Sequence, residues 1–227
     1  SGLADVLLPA AREATGLDVQ LLVVGTGQAL RLGAAGDVDA VLTHARAAEE
    51  AWLAEGHGTT RSEIMSNDFI LIGPGTDPAG VAGSPDIVAA LVRIAEAGAT
   101  FLSRGDDSGT HALERSLWPF PPQGPWYRET GSGMGATLTV AAGLDGYTLT
   151  DRGSWLNFGA RRDLRVLHEG DARLLNVYAY LPVAAKGRAG INEDGARRLL
   201  DWLSGAEARG LIDGYRIDGR PLFTAIR

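Results

Sequence analysis

Cysteine is absent from the 227 residues, which removes disulfides, thiolate nucleophiles and zinc ribbons at once. Lysine is nearly absent too: of the 21 basic residues only Lys186 is a lysine, and it lies in Ala-Ala-Lys-Gly, without a glycine-rich loop or a following Ser or Thr, so P-loop hydrolysis is excluded. No hydrophobic run approaches the roughly 18 to 20 residues of a membrane span; Leu21 to Val24 and Phe69 to Ile72 are strand-sized. Basic clusters are missing as well. With 28 acidic residues and a net charge of −7, the chain has no basic footprint for nucleic acid. The histidines His44, His57, His111 and His168 show no metal-ligand spacing. What remains, 45% hydrophobic and 22% charged with Gly 31 and Pro 10, is an ordinary globular composition, long enough for one large domain or two small lobes.

Apolar spacing in residues 2 to 15, with Leu3, Val6, Leu7, Ala10 and Ala14, predicts a helix stopped by Gly16. Leu17 to Val24 reads as a buried strand ending in Gly25-Thr26-Gly27, and a short helix from Gln28 to Leu32 follows. Val38 to Thr43, Arg46 to Glu55 and Phe69 to Gly73 then read as strand, helix and strand. This alternation predicts a mostly parallel sheet covered on both faces. Beyond the break Pro74 to Pro78, Ser84 as N-cap and Pro85 as first helical residue open a helix with the stripe Ile87, Ala90, Leu91 and Ile94. A strand at Thr100 to Ser103 and a helix from Thr110 to Trp118 come next, then an irregular stretch from Pro119 to Pro125 and a helix from Ala136 to Ala142. Further helices are expected at 152–158, 193–203 and 206–215, and strands at 164–167 and 175–181. Asn67 to Gly73 and Asn176 to Leu181 read as crossings between a first lobe, 1–73 with 176–227, and an inserted lobe, 74–175.

The most informative stretch is Ser103-Arg104-Gly105-Asp106-Asp107-Ser108-Gly109-Thr110, a strand end, a glycine turn and a helix start. Free N–H groups converge there at the positive end of a helix dipole, Ser108 and Thr110 add hydroxyls, and Arg104 adds a charged fork suited to an oxyanion. A plain N-cap with Arg104 paired to Asp106 or Asp107 accounts for the same residues, and both readings stay open on the motif alone. Gly131 to Gly135 is a second candidate cradle, including the amides of Gly133, Met134 and Gly135, with Ser132 and Thr137 as hydroxyl donors. Neither it nor Gly25 to Leu30 has dinucleotide spacing, and Thr26 is a third possible donor at a strand end. Ser108 and His111 are three apart without a nucleophile elbow, a thin basis for a hydrolase. Trp126, Tyr127 and Trp155 are candidates for a cleft wall, with core burial the simpler expectation.

The segments Val24 to Leu30, Asn67-Asp68-Phe69, Ser103 to His111, Trp126-Tyr127, Glu129 to Leu138 and Tyr147 to Gly153 together resemble the tungstate-binding proteins of ABC transporters, in order and along essentially the whole chain. The resemblance implies a type II periplasmic binding protein fold: two α/β lobes with mixed, mostly parallel sheets, joined by two crossing strands, gripping an oxyanion between them. It implies anion contacts from Arg104 and Thr110; Ser108 and the amides of Gly109 and Gly133 to Gly135 are added from the helix-terminus argument. It further implies tungstate or molybdate as ligand with no cofactor, an ABC permease as partner, no catalysis, and a periplasmic or extracellular location, with a removed N-terminal segment as one route to a lipid anchor. Members of that family begin with a strand ending in a Thr/Ser-rich turn, whereas this chain starts at Ser1-Gly2-Leu3, inside the first helix. One wall of the site is therefore expected to be missing and binding to be weakened. The competing expectation is the oxyanion-sensing domain of a regulator.

Overall fold

The structure, a computed structural model, describes residues 2–188 and 190–227. In chain order the helices are α1 (Leu3–Thr15), α2 (Thr26–Ala35), α3 (Arg46–Ala54), α4 (Ile87–Glu96), α5 (Gly109–Leu117), α6 (Met134–Leu144), α7 (Arg152–Asn157), α8 (Glu193–Leu203) and α9 (Ala206–Gly214). The strands are β1 (Ala40–Thr43), β2 (Ser62–Pro74), β3 (Phe101–Ser103), β4 (Tyr127–Glu129), β5 (Thr148–Asp151), β6 (Leu164–His168), β7 (Leu175–Pro182), β8 (Arg216–Ile217), β9 (Arg220–Pro221) and β10 (Thr224–Ala225). The chain divides into two compact units, residues 1–66 with 176–227 and residues 67–175. The expected first boundary lay after Gly73. Residues 69–74 of β2 instead pair with β5 and β6, which places them with the second unit.

In the first unit β1 runs antiparallel to β7, from Ala40 opposite Pro182 to Thr43 opposite Ala179, and β10 pairs with Met65 and Ser66 of β2. Its core gathers Leu30, Val41, Trp52, Ala179, Leu181 and Val183, and the Trp52 Nε1–H donates to the Leu30 carbonyl at 2.8 Å. Helix α1 packs on α8 and α9. It buries Leu3, Leu7 and Ala11, whereas Val6 and Ala14 of the expected stripe are exposed, because one contact line on a helix follows i, i+4, i+8. The expected strand at Leu17 to Val24 does not form. No described strand offers it a ladder, and an extended segment without one leaves Leu21, Leu22 and Val23 in solvent, Val23 at 83% exposure. Helix α2 extends from Thr26 to Ala35, starting two residues earlier and ending three later than expected, and closes on the left-handed Gly36.

The second unit is built on the far half of β2, and residue alternation explains its continuous apolar run. Phe69 and Leu71 face one cluster with Ile87, Leu91 and Ile94 of α4, while Ile70 and Ile72 face another with Leu138, Ala141 and Ala142 of α6. A strand buried on both faces has no polar side to alternate. The α4 stripe is buried as expected, but its N-cap is Asp86, which accepts the Ala89 N–H at 2.8 Å, not Ser84; Pro85 lies before the helix because the carboxylate of the very next residue satisfies the first turn. The architecture is α/β with mixed ladders, yet β3–β4 is the parallel pair among the named ladders and β1–β7, β2–β5, β2–β6, β2–β10 and β8–β9 are antiparallel, so the expected predominance of parallel pairing is corrected. Strand β2 is the reason: three of these neighbours share it and all run against it.

Candidate functional site

Strands β3 and β4 lie side by side and parallel, Ser103 opposite Glu129, so both chains leave the sheet at the same end. Each then turns through a short loop into a helix: residues 104–108 into α5, residues 130–133 into α6. The two loops are tied together. The N–H of Thr130 donates to the Ser103 carbonyl at 2.9 Å, the N–H of Ser132 to the Arg104 carbonyl at 3.2 Å, and the Thr130 hydroxyl to the same carbonyl at 3.4 Å. Two helix N-termini are thereby set on adjacent strand ends, the place where open α/β sheets carry ligands.

The first turns have unsatisfied donors. Gly109 and Thr110 of α5 have no acceptor for their N–H groups among the described residues, and neither do Met134, Gly135 and Ala136 of α6, whose cap Gly133 offers no side chain. Ser108 is the α5 cap: its Oγ accepts the His111 N–H at 3.3 Å. Arg104 donates from Nε at 3.1 Å and from Nη2 at 2.5 Å to Oδ2 of Asp106, leaving Nη1 without a partner among the described residues. Burial alone would raise the Asp106 carboxyl; hydrogen bonds from Ser108 and Arg104 outweigh it and hold the group below its ordinary value. Thr110 is buried and its hydroxyl has no partner among the described residues. Ser132 and Thr137, expected as donors, are engaged inside their turn: Ser132 Oγ donates to the Thr130 carbonyl at 3.1 Å, and Thr137 Oγ1 lies 2.8 Å from Thr130 Oγ1. They shape the cradle. Thr26 is placed in the first unit, at the start of α2 behind the extended Gly25.

Beneath the β3–α5 loop sits a residue that the sequence reading passed over. Glu114 is buried, accepts the Ser103 hydroxyl at 2.5 Å and the Trp118 Nε1–H, and lies 3.2 and 3.3 Å from the Tyr127 hydroxyl. Burial pushes its carboxyl above the usual range even though these donors oppose the shift. Its signal was a carboxylate four residues before Trp118 on a helix face shared with Leu117, an apolar stripe interrupted by one charge. The aromatics above it are core: Phe101 stacks on Tyr127 with ring centroids 5.9 Å apart and meets Trp118 edge-on at 5.2 Å. Trp155 is buried with the second cluster.

Residues 1–207 match the PBP superfamily domain. The tungstate-binding protein TupA of Peptoclostridium acidaminophilum is 42% identical over 99% of this chain and 81% of its own length. Among solved structures, the tungstate-binding protein TupA of Desulfovibrio alaskensis is 42% identical, with a TM-score of 0.94 over 99% of this chain and 93% of its own. The tungstate ABC transporter structure from Geobacter sulfurreducens is 44% identical, with a TM-score of 0.83 over 94% and 93%. The chain belongs to the TupA family of the PBP superfamily. The type II binding-protein architecture expected from the sequence is therefore shown. The hydrolase pairing has no geometric support: His111 Nδ1 accepts the Asp107 N–H at 3.1 Å and Nε2 has no partner among the described residues, so neither ring nitrogen bonds Ser108 Oγ as a nucleophile and its base require.

Proposed function

We propose that this TupA-family chain is a non-catalytic, extracytoplasmic receptor that captures tungstate or molybdate and delivers it to an ABC permease. The observation that carries the reading is the pair of helix N-termini on β3 and β4, held together by their loops, with five backbone N–H groups that have no acceptor among the described residues and the Arg104 fork beside them. A dianion placed there meets two dipole ends and one full charge. The proposed donors are Arg104, Ser108, Gly109, Thr110 and the Gly133, Met134 and Gly135 turn. Arg104 and Ser108 exchange Asp106 for the anion, and Asp106 holds them in place until then.

A donor-rich cradle without a nucleophile–base pair suits binding rather than turnover, and the relatives' names describe binding and transport, so the sensor-domain reading is set aside. No described helix is long and apolar enough to cross a membrane, and a receptor of this kind meets its permease through its surface. The test is calorimetric titration with tungstate, molybdate, sulfate and phosphate at one ionic strength. Tight binding of the first two with weak binding of the others is expected; heat only from sulfate or phosphate, or from none, overturns the proposal.

A further inference from the structure

The ring of His111 is explained by neither the cap nor the core. Its Nδ1 accepts the Asp107 N–H at 3.1 Å, so in the neutral ring the proton sits on Nε2. That Nε2 is buried and has no hydrogen-bond partner among the described residues. A buried donor left unmade is costly, and native structures seldom keep one without use. Glu114 does not relieve it, since its oxygens are taken by Ser103, Trp118 and Tyr127. Together with Arg104, Thr110, Ser103 and Glu114 the ring lines one crevice under the loop, too tight for a water molecule in this conformation, so solvent does not supply the acceptor either.

Resting on the oxyanion reading above, we propose that His111 is a further binding residue whose Nε2–H donates to an oxygen of the bound oxyanion, which reaches it as Arg104 exchanges Asp106 for the ligand. The Asp107 N–H fixes the tautomer, making the ring a donor, never an acceptor, toward the site. Such a donor favours fully deprotonated tungstate over an oxyanion that keeps a proton, such as hydrogen phosphate.

Two substitutions separate this role from a merely structural one, because Asn imitates the Nδ1 acceptor and Gln the Nε2 donor. If His111 only caps the Asp107 N–H, His111→Asn is the milder change in every assay. If it binds the anion, His111→Asn weakens tungstate binding about tenfold or more, the loss expected of one hydrogen bond to a charged group, while His111→Gln keeps affinity within about threefold. The independent measurement needs no variant: in the intact chain labelled with 15N-histidine, saturating tungstate should leave the His111 Nε2 in its protonated form, shift its resonance and protect its proton from exchange. A chain that binds tungstate with the His111 ring unchanged overturns this inference and spares the receptor reading; a chain that does not bind tungstate overturns both.

Discussion

Arg104 is the one cation in residues 104–108 and 130–133, and its side chain is 19% exposed, so its pairing is little screened. Arg104→Ala is expected to weaken tungstate binding by about 2 to 5 kcal/mol, as for truncation of a buried charge partner, while Arg104→Lys keeps the charge, loses the fork and recovers only part of it. Titration of the three proteins side by side checks this, and an unchanged affinity in the alanine variant removes Arg104 from the site. Gly105 tests the loop without touching a donor. Its φ is +59°, and a Cβ there would stand 2.7 Å from the Glu129 Cβ, so Gly105→Ala meets both backbone strain and a collision with β4. It should cost about 1 to 3 kcal/mol in urea denaturation and weaken anion binding by displacing Arg104. Asp106 is one of the carboxylates that contribute at the acid end. Its folded value is depressed, so its contribution to stability is present above the ordinary 3.8 and is lost as pH falls below it.

Tyr147 joins two elements by hydrogen bonds that depend on its proton. Standing just before β5, its hydroxyl donates to Asp77 Oδ1 at 2.9 Å and accepts the Ala79 N–H at 3.0 Å, holding the turn that follows β2. Burial, reinforced by Asp77, pushes the phenol up to about 12 from 10.0. A raised value means stability fully present below pH 10 and lost as pH rises toward 12. Tyr147→Phe should therefore be less stable at neutral pH and lose less between pH 10 and 12, read from urea midpoints along a pH series; parallel curves for the two proteins would refute this. At this scale the sequence was legible where one element decides its own form. Helix α8 lies at the expected 193–203, and the α4 stripe is buried residue for residue. It was illegible where a partner decides. Leu17 to Val24 has strand composition but no described strand to pair with, and the two-residue β8, β9 and β10 carry too little pattern to be read in advance. The loop pair shows the same division. Spacing marked residues 104–110 and 131–135 separately as anion cradles, but their adjacency comes from β3–β4 pairing, and β4 was hidden after the Pro-rich stretch 119–125.

At the scale of the whole molecule the formal charge of −7 opposes an incoming dianion, yet at a Debye length of about 8 Å in physiological salt distant carboxylates count for little beside donors in contact. Affinity should therefore change only modestly between low and physiological salt, whereas capture by long-range steering would be strongly salt-dependent. Binding to the folded chain alone also links ligand to stability. At a free tungstate concentration 100 times Kd the folded state gains about 2.7 kcal/mol, which for a chain of this size raises the melting temperature by about 5 to 10 °C. Because the second unit carries the loop pair, and β2 threads its core between the α4 and α6 clusters, the gain should appear first as slowed hydrogen exchange at the starts of α5 and α6. A thermal scan with tungstate and with sulfate at equal concentration, followed by exchange mapping, separates the possibilities. Equal shifts for the two anions would reveal non-specific ion binding. A tungstate-specific shift with protection at α5 and α6 would place the stabilisation at the paired helix starts, and protection elsewhere would remove these loops from the site.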